Sequence, residues 1–303
     1  MPKIPTVIAL VGPTAIGKTA AAIRLAQALK TDVVSADSRQ FYREMSIGTA
    51  KPTSEELAEA THHFVDFLSI HQEYSAGLYE RDVIDFLDGW FANNTSIVLA
   101  GGSGLYLNAV VHGFDELPAN PVIREALNKQ LHEEGLPALQ AQLAQCDPEH
   151  YKRMDIHNPQ RVIRALEVCL ATGTPYSQLR TQSATERNFR TVWVGLTAPR
   201  ELMYERINQR VERMVEHGLI DEARALYPYR SLNALNTVGY RELFAHFDGD
   251  MSEAEAIALI QQNTRNFAKR QVTWFKRQSN IAWFDFREVD SLIAYAVEQS
   301  AND

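Results

Sequence analysis

Pro5-Thr6-Val7-Ile8-Ala9-Leu10-Val11 runs directly into Gly12-Pro13-Thr14-Ala15-Ile16-Gly17-Lys18-Thr19, and Ala20-Ala21-Ala22-Ile23-Arg24-Leu25-Ala26 follows. An apolar strand, a complete G-x-x-x-x-G-K-T loop and a helix-forming run in that order are the pattern of a phosphate loop. Gly12 and Gly17 let the backbone curl so that successive N–H groups converge on one anion, with Lys18 adding a mobile positive charge. The Thr19 hydroxyl is of the type that ligates Mg²⁺. The stretch predicts an α/β fold that grips a polyphosphate, and leaves open whether that phosphate is transferred, hydrolysed or expelled.

Working outward, Asp32 to Ala36 and Ser96 to Ala100 read as further short buried strands, with helical patterns between them. The expectation is a P-loop NTPase-like parallel sheet core flanked by helices. After Gly113 comes a loop with two prolines, Phe114 to Pro121, and from Val122 to about Arg180 the pattern is helical without a convincing strand. An all-helical insertion domain over residues 118–190 is therefore expected, dividing the core into 1–117 and 191–303. Thr191 to Leu196 reads as a strand returning to the sheet, Glu201 to Leu226 as one long helical repeat, and Ile281-Ala282-Trp283-Phe284 as a late edge strand.

The chain has 303 residues, 45% hydrophobic and 22% charged, as expected of a globular protein with a sizeable core. No apolar run approaches the roughly 20 residues that span a bilayer, and no leader pattern opens the chain, so a cytoplasmic location without membrane contact is expected. Cys146 and Cys169 are too far apart for a C-x-x-C motif and too few for a disulfide framework. His62 and His63 precede Asp66, but no third residue at metal-ligand spacing joins them, which favours a structural role. The net charge of −8 argues against indiscriminate nucleic-acid binding. Charge is nevertheless unevenly distributed: between Ile257 and Phe284 there is no Asp or Glu, whereas Arg265, Lys269, Arg270, Lys276 and Arg277 alternate with Phe267, Trp274 and Phe275. This is either a nucleic-acid surface or a terminal helix with solvated bases.

In parallel α/β sheets ligands bind at the carboxyl ends of the strands. The second strand ends in Asp37-Ser38-Arg39-Gln40, placing Asp37 opposite the phosphate loop, though Asp-Ser after a strand is also a common helix cap. The third runs into Gly101-Gly102-Ser103-Gly104-Leu105-Tyr106, where glycines permit backbone approach to a ligand and Ser103 offers a hydroxyl.

Seven segments, taken in order, resemble the bacterial tRNA dimethylallyltransferase family. They are Gly12 to Thr19, Asp37 to Gln40, Gly48-Thr49-Ala50-Lys51-Pro52, Gly101 to Tyr106, Asn158 to Val168, Val238-Gly239-Tyr240-Arg241-Glu242 and Thr264 to Phe275. The resemblance implies transfer of a dimethylallyl group from dimethylallyl diphosphate to the exocyclic N6 amino group of the adenosine immediately 3′ of the anticodon, in tRNAs reading codons that begin with U, with release of diphosphate. It implies that Gly12, Pro13, Thr14, Ala15, Ile16, Gly17, Lys18 and Thr19 hold the diphosphate together with Mg²⁺ on Thr19 and a cation from the Arg206-x-x-x-Arg210 helix, Arg210 aligning with the family's diphosphate arginine. Asp37 becomes the general base, Lys18, Thr19, Ser103 and Arg210 its catalytic partners, and Ser103 stands where the family usually has threonine.

Contacts to the tRNA anticodon stem-loop are implied for Asp37, Ser38, Arg39, Gln40 and Ser103, for Arg124, Gln160, Arg161, Val162, Ile163 and Arg164, for Asn236, Thr237, Val238, Gly239, Tyr240 and Arg241, and for Arg265, Lys269 and Arg270. Family members are expected to act as monomers. Two departures stand out: Asn158 replaces the aspartate usual before Pro-Gln-Arg, removing a cap charge, and Arg39 replaces a Met or Leu. Three rival readings use the same features. A small-molecule kinase would place ATP on the loop but has no need of the basic aromatic tail; a prenyltransferase of free adenine nucleotides would share the chemistry without that tail; a non-catalytic RNA-binding module would leave Asp37 and Lys18 idle.

Overall fold

A computed structural model describes residues 4–115, 117–180 and 185–301. The chain divides into two compact units, residues 1–112 with 186–303, and residues 113–185.

The first unit is built on six parallel strands, β1 (Thr6–Val11), β2 (Val33–Ser35), β3 (His62–His63), β4 (Ser96–Ala100), β5 (Arg190–Thr197) and β6 (Ala282–Asp285), in the order β3-β2-β4-β1-β5-β6. This is the expected parallel core, with β1 between β4 and β5. Strand alternation places Val7, Ala9 and Val11 on one face, against Tyr79, Val83 and Leu87 of α3 (Ala76–Trp90) and Leu107 and Val110 of α4 (Gly104–His112). Ile8 and Leu10 face the other way, against Ala22, Leu25 and Ala26 of α1 (Lys18–Leu29) and Leu292 and Ala296 near the C-terminus. Both faces are buried, which is why β1 reads as an uninterrupted apolar run.

Leu10 pairs with Ala100 and Ala100 with Ser35, so the loops leaving β1, β4 and β2 emerge side by side at one end of the sheet. Of the connecting elements, α2 (Ser54–Glu59) begins in a capping box formed by Thr53 and Glu56. The strand β3, two residues long, is too short to leave a sequence pattern. His63 there bonds Asp32 at 2.8 Å and His62 bonds the Ala60 carbonyl, and among the described residues no His/Cys/Asp/Glu group could hold a metal ion.

The second unit is helical: α5 (Pro121–Glu134), α6 (Leu136–Cys146), α7 (Pro148–Arg153), α8 (Pro159–Thr172) and α9 (Tyr176–Leu179). Its core is Leu127, Leu139, Leu143, Val162, Ile163 and Leu166. Proline within the first two positions of four of these helices fixes φ where no intrahelical N–H bond is lost. Asn158 caps α8 through the Arg161 N–H at 3.3 Å, so the neutral residue replaces the aspartate cap without losing the bond.

The chain returns through β5 to α10 (Arg200–Glu216) and α11 (Leu219–Leu226). The single helix expected over Glu201 to Leu226 is thus two, because Gly218 takes a left-handed φ of 98° that ends the first and opens the second. Next come α12 (Tyr240–Phe247), the 23-residue α13 (Glu253–Phe275) and, after β6, α14 (Val289–Ala301). Among the described residues no helix is long and apolar enough to cross a membrane.

Candidate active site

The loop after β1 curls through three left-handed or near-left-handed residues, Gly12 (φ 149°), Ala15 (φ 63°) and Gly17 (φ 105°). A side chain at Gly12 would meet the Leu196 carbonyl of β5 at 2.7 Å, so only glycine lets the loop lie against the neighbouring strand. No side chain caps α1, whose first N–H groups are thereby left for an anion. Lys18 Nζ folds back onto the carbonyls of Gly12 (3.0 Å) and Pro13 (2.8 Å). Burial and the nearby Arg210 guanidinium lower its pKa to about 7, opposed by Asp37.

Arg210 donates to Thr14 Oγ1 at 3.1 Å and Arg206 Nε to the Ala15 carbonyl at 3.0 Å, so α10 lays two guanidinium groups beside the loop. Burial also lowers the Arg210 pKa, with Asp37 again acting in the opposite direction. Neither arginine nor Lys18 has a salt-bridge partner among the described residues. Three cations in one cleft, offset only by the more distant Asp37 carboxylate, favour an anion among them.

These groups line a cleft of about 360 Å³ that also exposes Thr19, Asp37, Gln40, Ala50, Gly102 and Gln271. Its size suits a small ligand. Asp37 stands at the end of β2 and accepts the Arg39 N–H at 3.0 Å; no α-helix begins there, so the carboxylate caps a turn and still faces the cleft. Ser103 Oγ accepts the Ser38 N–H at 3.3 Å and lies 3.4 Å from Ser38 Oγ, joining the turn after β2 to that after β4. Gln40 is tied to the carbonyls of Thr49 (3.3 Å) and Ala50 (3.1 Å).

Three residues of this unit escaped the sequence reading as site residues. Gln271 of α13 accepts the Thr14 N–H at 2.8 Å and donates to the Gly102 carbonyl at 2.9 Å, bridging the phosphate loop to the turn after β4. Glycine at 102 is required for this, since a Cβ there would lie 2.3 Å from Gln271 Nε2. Arg206 was legible only as the other arginine of Arg-x-x-x-Arg. Glu222 of α11 accepts the N–H groups of Ser46, Ile47 and Gly48 at 2.8–2.9 Å and the Tyr240 hydroxyl at 2.6 Å, holding the segment that leads into the cleft wall.

Residues expected to touch RNA fall into two groups. Tyr240 is buried on Gly48 with its hydroxyl on Glu222, so its side chain serves the fold, whereas Asn236 and Arg241 are exposed and Thr237 and Val238 half-buried around Gly239 (φ 102°). In the helical unit, Val162 (0% exposed) and Ile163 (1%) are core residues, so any RNA contact at these two positions would fall to their main chain. Arg124 and Arg164 both reach the buried Glu167 (2.6 and 2.9 Å), and Arg164 also holds the Leu117 and Pro118 carbonyls. Gln160 and Arg161 are exposed at the start of α8.

Along α13 the basic residues divide by face. Phe267 and Gln271 line the cleft, while Arg265 bonds Asn208 of α10 and, with Lys269 and Arg200, surrounds the Tyr204 ring. Arg270 is exposed and lies 5.8 Å from the Phe267 ring centre.

The IPP transferase family model matches residues 40–278. A tRNA dimethylallyltransferase of Christiangramia forsetii is 50% identical over 296 residues, 97% of this chain and 98% of its own. One from Flavobacterium psychrophilum is 50% identical over 293 residues, 94% of this chain and 95% of its own. The crystal structure of the full-length tRNA isopentenylpyrophosphate transferase from Bacillus halodurans is similar with a TM-score of 0.72 at 35% identity, covering 97% of this chain and 96% of that one. The phosphate loop, the turn after β4 that the α13 glutamine ties to it, and the Asp37 turn beside them lie on a chain that belongs to the IPP transferase family, the family of the tRNA dimethylallyltransferases.

Proposed function

We propose that the chain transfers the dimethylallyl group of dimethylallyl diphosphate to N6 of the adenosine immediately 3′ of the anticodon, in tRNAs that read codons beginning with U, and releases diphosphate. The observation that carries this reading is a single cleft lined by Lys18, Arg206 and Arg210 with the Asp37 carboxylate at the adjoining strand end. An allylic C–O bond ionises readily once the charge developing on its diphosphate is neutralised, and preorganised cations and backbone N–H groups do this without reorganisation. The adenine amino group is a weak nucleophile because its lone pair is delocalised into the ring. As its nitrogen bonds to C1 of the allyl group and the C1–O bond breaks, Asp37 accepts the N6 proton and diphosphate departs with the bonding electrons.

The target base must leave its stack to enter the cleft, at a cost of a few kcal/mol that is smallest in a loop. Ser38 and Ser103 supply hydroxyls beside Asp37, and Arg161, Arg241, Lys269 and Arg270 supply cations for the RNA backbone. The residues fit Mg²⁺: the Thr19 hydroxyl opens on the cleft, and this hard cation is commonly held by one or two protein oxygens with phosphate and water completing its shell. Bound there it would neutralise diphosphate charge. The enzyme is expected to act in the cytoplasm as a monomer.

Incubation with labelled dimethylallyl diphosphate and unmodified tRNA, AMP or ATP tests the reading. Label should enter tRNA alone, vanish when the target adenosine is replaced by guanosine, and appear without ATP consumption. Label in AMP only, or phosphate transfer from ATP, overturns it.

A further inference from the structure

Arg39 presents an unusual use of a guanidinium. Its Nη1 donates to the carbonyls of Asn233 (3.1 Å) and Ala234 (3.0 Å) and its Nη2 to that of Asn236 (3.4 Å), residues nearly 200 positions away in sequence. Its own backbone N–H holds Asp37 Oδ1 at 3.0 Å. One residue therefore joins the candidate base to the segment that leads through Asn236 to Arg241. Two neighbours tie the same turn elsewhere, Ser38 to Ser103 at 3.3–3.4 Å and Gln40 to the carbonyls of Thr49 and Ala50 at 3.3 and 3.1 Å.

We propose that Arg39 is a positioning residue for prenyl transfer rather than an RNA-contacting cation: it sets the direction of the N–H that orients Asp37 and locks that turn to the 233–236 segment. The inference rests on reading Asp37 as the base. A guanidinium has five N–H donors in a rigid plane, and here they reach three main-chain oxygens, a geometry that a flexible ammonium cannot reproduce. With three carbonyls engaged, the group is directed at protein rather than left for a phosphate. Seating of RNA against the 236–241 segment would then be felt at Asp37 through fixed bonds.

The test uses the full chain with Arg39→Ala, Arg39→Lys and Asp37→Asn. Single-turnover transfer from labelled dimethylallyl diphosphate is measured against tRNA concentration, with tRNA binding measured over a series of salt concentrations. Arg39→Ala should slow transfer at saturating tRNA about tenfold, leave the tRNA Kd within about twofold, and leave the salt slope unchanged; Arg39→Lys should recover only part of the rate. Pyrophosphate binding and the melting temperature report whether each variant is folded, and if the alanine variant is not, the rate and salt slope of the lysine variant decide. A weaker tRNA Kd with a salt slope smaller by about one and an undiminished saturating rate makes Arg39 a phosphate contact and overturns the proposal. Wild-type behaviour in both measurements overturns it equally. An unchanged rate in Asp37→Asn would instead remove the reading of Asp37 as base, independently of the clamp.

Discussion

The two units treat their arginines in opposite ways. In the α/β unit, Lys18, Arg206 and Arg210 crowd one cleft with no carboxylate bridging them, and Lys18 is pushed down to about 7 by burial and its cationic neighbour. In the helical unit, Arg124 and Arg164 close on a single carboxylate, Glu167, 1% exposed, which also accepts the Asn120 N–H at 2.9 Å. Cations held together by the fold without salt-bridge partners form a place suited to an anion. Paired cations around a buried anion are architecture, and their presence in a motif says little about ligands.

If the contrast is right, the largest effects lie in the cleft. Lys18→Met should lower kcat/KM for transfer by about 10³, the scale of a lost preorganised charge donor, while the melting temperature stays the same or rises. Asp37→Asn should lower kcat by about 10² to 10³ with little change in tRNA Kd, as expected for a lost general base. Single-turnover kinetics with binding titrations checks both. Equal losses in rate and tRNA affinity for Asp37→Asn would remove the base assignment.

Glu167→Gln probes the other side. Burial alone would push this carboxyl's pKa up, but the hydrogen bonds from Arg124, Arg164 and the Asn120 amide outweigh it and hold it below the usual range. Breaking a buried pair typically costs 3–5 kcal/mol; with Arg124 41% exposed to water, about 2–3 kcal/mol is expected. A folded-state carboxyl pKa below the unfolded value stabilises at neutral pH and is lost as pH falls below about 4.5, so the wild-type advantage over Glu167→Gln should fade in acid. Thermal unfolding followed from pH 7 to pH 3 reads this directly. A variant as stable as wild type at pH 7 would show that the Glu167 charge contributes nothing to holding the two arginines.

What the sequence made legible were the features determined locally. β1 and its loop are contiguous, so their period, glycines and Lys18 could be read together, and Asp37 follows from the position of the second strand. The bonds that complete the site are long-range: Glu222 reaches Ser46 across 176 residues and Gln271 reaches Thr14 across 257. No spacing rule anticipates such partners. Burial is equally illegible in a motif: Val162 and Ile163 lie in the same run as the exposed Gln160 and Arg161, yet their side chains are in the core of the helical unit.

A smaller effect comes from pH. In the free protein Lys18 loses its proton near pH 7, so at higher pH an anion that prefers the charged ammonium must bind together with a proton. Pyrophosphate affinity in the wild type should therefore fall, by up to about tenfold per pH unit, between pH 7 and pH 9, relative to Lys18→Met, which removes this group but keeps the ligand's own titration. Calorimetry in buffers of different ionisation enthalpy would detect the proton taken up. Parallel pH profiles for the two proteins would mean that Lys18 is charged throughout.

The smallest effect compares two arginines on α8 three residues apart. Arg164 donates to Glu167 and to two carbonyls, whereas Arg161 is exposed and makes no ion pair among the described residues. One turn of helix separates a cation tied into the fold from an exposed one without an ion pair among the described residues. Arg161→Ala should leave stability within about 0.5 kcal/mol, weaken tRNA binding a few-fold and reduce the salt slope by about one. Arg164→Ala should lower the melting temperature first, and its effect on tRNA should not scale with salt in the same way. Melting curves and binding isotherms across a salt series distinguish the two. Should the roles come out reversed, ion pairing to a buried carboxylate would lose its value as the criterion that separates architecture from site, and Arg124 would have to be reconsidered together with Arg164.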